Sequence, residues 1–140
     1  MLLVRTTIGL SAIHGIGIFA AEWIAKGTLI WHFQPGFDLK LSREALEALS
    51  PAALAQALNY SYVEDGAYIL CADDARFVNA SRTPNCTSGA LESYTIAARD
   101  IAAGEELTED YRAFDDGPLR AHRYPSRGGR PHATPRAGSP

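Results

Sequence analysis

Apolar residues along this chain come in short bursts separated by Gly, Pro, Asp and Asn turn positions. That spacing predicts the strands of a small β protein rather than long helices. Leu2–Thr7 predicts a first strand, Ser11–Gly17 a turn around Gly15-Ile16-Gly17, and Ile18–Ala21 a resumed strand. Thr28–Phe33 is rich in β-formers and follows a turn at Ala25-Lys26-Gly27; Gln34-Pro35-Gly36 breaks it. Residues 42–58 alone carry a helical pattern. Ser42 caps a first piece with Leu46 and Leu49 three apart, and Ser50-Pro51 restarts the helix with a cap and a proline. Leu54 and Leu58 then share one face. Asp65-Gly66 predicts a hairpin between Tyr60–Val63 and Ala67–Cys71. Ser93–Ala98 and Glu106–Thr108 complete the predicted strands, so the fold class is mainly β with one short helical insert.

One stretch is unlike its surroundings. Arg76-Phe77-Val78-Asn79-Ala80-Ser81-Arg82-Thr83-Pro84-Asn85-Cys86 opens with an apolar step, Phe77-Val78, that predicts a short buried strand. Asn79, Ser81, Thr83 and Asn85 then compete with regular structure through their side chains, and Pro84 forces Thr83 out of the helical region. Polar, irregular chain beside a core strand is a candidate binding site.

An internal echo accompanies it. Ala20–Ile30 and Ala97–Leu107 both read Ala-Ala-x-x-Ile-Ala-x-Gly, with an aliphatic residue three places beyond the glycine. Two copies of one strand–turn–strand device are expected, each with its Ile buried and its Gly at positive φ.

With 140 residues the chain suits one domain with a modest core. From Gly117 the composition shifts to Gly, Pro, Arg, His and Ser. The expected organisation is a domain over 1–116 and a flexible Pro/Gly/Arg-rich tail over 117–140. The formal net charge of −3 argues against a strongly basic nucleic-acid binder. Glu105, Glu106, Glu109, Asp110, Asp115 and Asp116 form an acidic run, and Arg120, Arg123, Arg127, Arg130 and Arg136 follow. The run reads as solvated surface, with attraction for a basic peptide as the functional alternative. No apolar run reaches the ~18 residues of a membrane span. Met1-Leu2-Leu3-Val4-Arg5 is too short and too soon charged for a secretory signal, so an intracellular location is expected, cytoplasmic or, in a eukaryotic or viral setting, nuclear. Two cysteines, Cys71 and Cys86, make no disulfide framework and no paired metal motif.

Common catalytic patterns are missing. His14, His32, His122 and His132 show no metal-ligand spacing, and no local motif places a His beside a nucleophile. Gly15-Ile16-Gly17 lacks the third glycine and the strand-to-helix context of a dinucleotide fingerprint.

Four pieces taken together are more specific. They are Gly15-Ile16-Gly17-Ile18-Phe19-Ala20; Arg76-Phe77-Val78-Asn79-Ala80-Ser81 with Pro84-Asn85; Ile101 with Gly104-Glu105-Glu106-Leu107-Thr108; and Asp110-Tyr111. In this order the chain resembles a SET domain, the catalytic domain of protein lysine methyltransferases, over roughly residues 2 to 114. The resemblance implies small β-sheets around a threaded, pseudoknot-like C-terminal segment, an arrangement rare enough that sequence physics would not propose it. It implies S-adenosylmethionine as methyl donor. The backbone at Ile16 and Gly17 would line the donor's amino-acid end, Asn79 would hydrogen-bond there, and the backbone at Ala80 would meet the adenine. Arg76 and Phe77, which open the same motif, join the cofactor-binding set, and Phe114 would cover the adenine. Tyr111 would stand where cofactor and lysine meet, with Tyr62 as the second aromatic of the lysine channel; Tyr60 and Phe77 are also aromatic candidates, read first as packing residues.

The chemistry so implied is physically coherent. A free lysine titrates near ~10.4 and carries no lone pair at neutral pH. An apolar channel and a nearby sulfonium both favour the neutral amine, and aromatic walls hold the alkyl stem. The rest is in-line displacement governed by positioning. Two positions depart from the family pattern: Ala80 stands where His is usual, and Arg82 where many members have a zinc-binding Cys. The tail carries no Cys, so that zinc site is not expected. The expected partner is a basic, lysine-containing protein or peptide, histone-like among the choices, with no nucleic acid or membrane. A homodimer is one way to complete the channel. The alternative, favoured by Ala80, is a degenerate, non-catalytic module that binds a peptide or the cofactor without turnover. A nucleic-acid binder using the arginine-rich tail ranks last.

Overall fold

The computed structural model describes residues 1–88 and 93–115. Along the chain these form β1 (Thr6–Leu10), β2 (Ile16–Ala20), β3 (Leu29–His32), β4 (Leu39–Leu41), α1 (Arg43–Glu47), α2 (Pro51–Tyr60), β5 (Tyr62–Glu64), β6 (Ala67–Leu70), β7 (Asn79–Ala80), β8 (Cys86–Ser88), β9 (Tyr94–Ala97) and β10 (Thr108–Glu109). The strands make four small sheets: β1-β2, β3-β9-β8 and β4-β6-β5, all antiparallel, and the parallel pair β7-β10. The fold is thus mainly β with a helical insert, as the apolar pattern predicts.

Local chemistry accounts for the insert and the hairpin. Ser42 Oγ accepts from Ala45 N and Ser50 Oγ from Ala53 N, and Pro51 opens α2 where its missing N–H costs nothing. Leu46 and Ala57 are buried while Leu54 and Leu58 are half-buried, so the apolar stripe is narrow and packs only the inner edge of each helix. Asp65 (φ 50°) and Gly66 (φ 73°) form the two-residue turn joining β5 to β6, with Glu64 opposite Ala67.

The internal echo is a structural pair. Ile24 and Ile101 face each other across an antiparallel bridge, each N–H donating to the other's carbonyl at 2.9 Å. Gly27 N donates to Ala97 O at 2.8 Å, and its counterpart Gly104 N donates to Ala20 O at 2.7 Å. Ala97 N donates to Thr28 O and Ala20 N to Glu105 O, both at 2.9 Å. The two copies therefore bind each other with reciprocal bonds, related by a local two-fold. Both glycines sit at positive φ, 83° and 81°, which explains why the motif repeats glycine at that point. Ile24 and Ile101 enter one core with Ile18, Ile30, Trp31, Ile69, Cys86 and Leu107.

Several predicted boundaries move. Leu2–Thr7 is not the first strand: β1 begins at Thr6, and Leu2 makes only an isolated bridge to Trp31. The hairpin register Leu10↔Ile16 shows that pairing extends through what reads as turn, leaving Ser11–Gly15 as the connection. Phe77-Val78 is not a strand. Asp73 caps a 3₁₀ turn over Asp74–Phe77, and β7 starts only at Asn79. A carboxylate placed to accept Ala75 N outweighs the β preference of Phe and Val. The strand expected at Glu106–Thr108 lies at Thr108–Glu109, because Glu106 and Leu107 are occupied with β2. The acidic run is not one solvated patch: Glu109 and Asp115 are buried. Asp116 and the tail expected over 117–140 lie outside the described residues.

Glu105 illustrates what the remainder of that run does. Its carboxylate accepts from Arg99, from Asn85 Nδ2 at 3.0 Å and from Ala102 N at 3.1 Å, and Arg99 foremost pulls its pKa from 4.5 to about 2. A carboxyl with a depressed folded-state pKa stabilises above its unfolded value and loses that contribution as protons bind the folded form. Stability is therefore expected to fall as pH drops from about 4.5 towards about 2, and Glu105→Gln should flatten that limb. Urea midpoints measured across the window test it; a variant with the wild-type slope would assign the acid transition elsewhere.

Candidate functional site

Two neighbouring features meet at Val78-Asn79. The first is a polar corner where β7 faces the β1-β2 hairpin. Asn79 Nδ2 lies 3.1 Å from His14 O, 3.1 Å from Ile16 O and 2.8 Å from Glu106 Oε1. An amide nitrogen carries two hydrogens, so three acceptors, one of them an acid, converge on two donors. Ser11 Oγ donates to Glu106 Oε2 at 2.9 Å and fixes that carboxylate. Gly17 makes the approach feasible: a Cβ there would sit 2.2 Å from Glu106 Oε1 and 3.2 Å from Asn79 Nδ2. The corner is thus an acceptor-rich cradle suited to an ammonium group, with bare backbone at its floor.

The second feature is an aromatic pocket. Tyr62, Tyr111 and Phe114 line it together with Trp31, Val78, Leu107 and Glu109. Phe114 stands edge-on to Tyr62 at 5.2 Å and tilted against Tyr111, also at 5.2 Å. Tyr111 is 5% exposed, and its hydroxyl donates to Val78 O at 2.9 Å. That bond ties the pocket to the residue preceding Asn79. Asp110 caps the short turn over Tyr111–Ala113 by accepting from Arg112 N, and buried Asp115 accepts from Val63 N at 3.0 Å. Together these bonds hold the segment bearing Tyr111 and Phe114 against β5, which bears Tyr62.

Burial sets the protonation of this pocket. It pushes the Tyr62 phenol well above the ordinary tyrosine range, and the Cys71 and Cys86 thiols up to about 12 each. The Glu109 carboxyl is also raised by burial, against hydrogen bonds from Thr95 and Ser88 that favour its charged form. The lining also holds Glu64 and Arg76, and Ser88, Ser93 and Thr95 add neutral hydroxyls to it.

Of the residues read from sequence, Ile16, Gly17 and Asn79 come together at the corner, and Tyr62, Tyr111 and Phe114 at the pocket. Ala80 follows Asn79 in β7 and pairs with Glu109. Arg76 and Phe77 stand on the 3₁₀ turn, the guanidinium 5.2 Å from the Phe77 ring, and Phe77 packs edge-on to Tyr60 at 5.8 Å. Phe77 and Tyr60 are thereby a packing pair, and Arg76 reaches the pocket wall. Roles for Ser11, Glu106 and Glu109 are missed by sequence reasoning. Glu106 lies inside the Gly-Glu-Glu-Leu motif, which marks its importance but not its contact with Asn79. Glu109 has no local signal, because Leu107, Thr108 and Glu109 are all buried and no alternation distinguishes it.

Residues 15–112 match the SET domain family. The chain belongs to that family. Among its relatives is a histone-lysine N-methyltransferase, H3 lysine-4 specific, of Chaetomium globosum, 32% identical over 114 residues, covering 73% of this chain and 10% of the relative. An Arabidopsis thaliana histone H3-lysine(4) N-trimethyltransferase is 30% identical over 131 residues, covering 81% of this chain and 12% of that protein. This SET domain thus spans about a tenth of the length of those curated relatives. Its fold matches a chain of a humanized mutant of the Chaetomium thermophilum Polycomb Repressive Complex 2, with TM-score 0.62, 19% identity and coverage of 84% of this chain and 16% of that one. It also matches a candidate histone methyltransferase of Plasmodium falciparum, with TM-score 0.56, 21% identity and coverage of 79% and 95%. β7-β10 is the meeting of the Asn79 stretch with the C-terminal segment that the family resemblance implies.

Proposed function

We propose that this SET domain transfers a methyl group from S-adenosylmethionine to the side-chain amine of a lysine in a basic protein, histone-like substrates included. The observation that carries the reading is the Tyr111–Val78 bond, which sets an acceptor-rich corner and an aromatic pocket on adjacent residues. One feature is built for a cationic amino-acid end, the other for an alkyl amine, and they touch where a methyl would have to cross.

The residues fit the donor. The Asn79 side chain and the carbonyls of His14 and Ile16 would hold its ammonium, Gly17 would let it approach and the Ala80 backbone would face the adenine, while Phe114, expected over the adenine, packs instead on Tyr62 and Tyr111 in the aromatic pocket. When bound, S-adenosylmethionine supplies an electrophilic methyl on a sulfonium. Tyr62, Tyr111 and Phe114 exclude water from the amine, and in an apolar pocket desolvation lowers an amine's pKa. The Tyr111 hydroxyl steers the amine, and its oxygen is placed for weak C–H contacts to a polarised methyl.

Calorimetric titration with S-adenosylmethionine, followed by transfer of labelled methyl to mixed histones and basic peptides, tests the reading. Binding with transfer supports it. Binding without transfer to any substrate favours the non-catalytic module that Ala80 suggests, and no binding sinks the cofactor assignment. Gly17→Ala gives a sharper check. Its Cβ drives Glu106 aside and breaks the bond to Asn79. Binding of S-adenosylmethionine should weaken about tenfold while folding stability falls by ~1 kcal/mol, the net value of one lost hydrogen bond. Unchanged affinity would separate the corner from the cofactor.

A further inference from the structure

We propose that Glu109 is the proton acceptor for the substrate amine in the aromatic pocket, an inference that rests on the methyltransferase reading above. Glu109 is 6% exposed, lines the pocket beside Tyr111 and Tyr62, and makes no ion pair among the described residues. Ser88 Oγ donates to its Oε1 at 2.9 Å, and Thr95 also bonds the carboxyl. Those hydroxyls orient the group without neutralising it. A buried carboxyl held by neutral hydroxyls is costly unless a cationic or protonated partner enters. Trp31 supplies an independent sign of an occupant. It sits opposite Thr95, lines the same pocket and is 5% exposed, yet its Nε1 has no hydrogen-bond partner among the described residues.

The step is a simple exchange. A lysine arrives as an ammonium; one N–H bond breaks, a Glu109 O–H bond forms, and a neutral amine faces a neutral acid. Burial raises a carboxyl's pKa and lowers an amine's, so the pocket brings the two towards balance. Methylation leaves the product amine cationic, and Glu109 returns its proton to water when product leaves. The buried phenol and thiols around it permit this. Tyr62 of β5, Cys71 beyond β6 and Cys86 of β8 feel the Glu109 charge but are held neutral by burial. Tyr111 follows β10, Tyr60 ends α2, Tyr94 opens β9, Glu64 of β5 is bonded by Ser93 Oγ at 2.5 Å, and Arg76 stands on the 3₁₀ turn; β7 contributes no ionisable side chain.

Glu109→Gln keeps size and removes the acceptor. With a basic histone peptide at pH 7, kcat should fall about 100-fold, the scale of a lost general base. It should then recover about tenfold per pH unit as hydroxide replaces the carboxylate, with S-adenosylmethionine affinity unchanged. Ser88→Ala, which leaves the carboxyl in place, should move the wild-type profile to higher pH by removing a bond to the charged form. Independently of turnover, n-butylamine followed by NMR titration should bind Glu109→Gln about tenfold more weakly at pH 7. The two proteins should converge above pH ~10, where the free amine sheds its proton. Equal n-butylamine affinity at pH 7, or an unchanged kcat profile, overturns the proposal while leaving the methyltransferase reading intact. A wild type that binds the amine through Glu109 but transfers no methyl does the reverse.

Discussion

Tyr111→Phe is expected to lower the methyl-transfer rate by about 100-fold or more while cofactor affinity stays within a few-fold, since small misplacements of reacting groups cost about that much. The hydroxyl is the only difference between the two side chains. In the wild type it donates to Val78 O at 2.9 Å from a ring that is 5% exposed. The phenylalanine still fills the pocket and still packs on Phe114, so the wall survives. What disappears is the tether between the wall and the residue next to Asn79, together with the oxygen proposed to steer the amine. Stability should fall by ~1 kcal/mol, because Val78 O loses a donor in a half-buried place. Single-turnover transfer, calorimetry and a urea melt on one preparation separate these effects. A variant that melts lower but turns over normally would reduce Tyr111 to a packing residue. A variant of wild-type stability that turns over slowly would assign its hydroxyl wholly to the chemistry.

Much of this was legible because local chemistry and tertiary structure agree. Ser42, Ser50 and Pro51 announce the two helices, and Asp65-Gly66 announces its hairpin. The repeated Ala-Ala-x-x-Ile-Ala-x-Gly announces a shared device, since glycine and isoleucine must recur together for its reciprocal bonds to close. Motif spacing places Gly17, Asn79 and Tyr111 in one family pattern, and the fold brings Gly17 against Asn79 and joins Tyr111 to its neighbour Val78. Where the reading slipped, a long-range partner decided the outcome. Asp73 accepting Leu2 N at 2.6 Å and Ala75 N at 3.1 Å settles the 3₁₀ turn before Val78, and no window around Phe77 contains Leu2. Glu109 and Asp115 look like solvated acids because their hydroxyl and amide partners come from β8, β9 and β5. Burial of a charge is a property of the assembled sheets, so a run of acids cannot reveal which members turn inward.

Asn85→Ala is expected to cost ~3 kcal/mol of stability, about the sum of one buried and one half-buried backbone group left without partners. Asn85 is 1% exposed. Its Oδ1 accepts from Thr108 N at 2.9 Å, and its Nδ2 donates to Glu106 O at 2.8 Å and to Glu105 Oε1 at 3.0 Å. One side chain therefore stitches the Asn79 stretch to the segment that becomes β10, where the sheet itself supplies only the short pair β7-β10. Truncation strands Thr108 N and Glu106 O in the interior, and a loss of that size is a large part of the ~5–15 kcal/mol that holds a typical domain together. The urea midpoint should drop with an unchanged m-value, since the surface exposed on unfolding is the same. Asn85→Asp makes the test specific. The acid still accepts from Thr108 N but offers Glu106 O no N–H when ionised, and it faces the Glu105 carboxylate. It should be as damaging as alanine near neutral pH and recover partly in acid, where the new side chain takes up a proton. An Asn85→Asp variant as stable as the wild type at every pH, beside a destabilised alanine, would mean that volume, not hydrogen bonding, holds the junction. An acid-dependent recovery would show that Asn85 is there for its paired donor and acceptor, and that the site's two halves are joined by bonds rather than by packing alone.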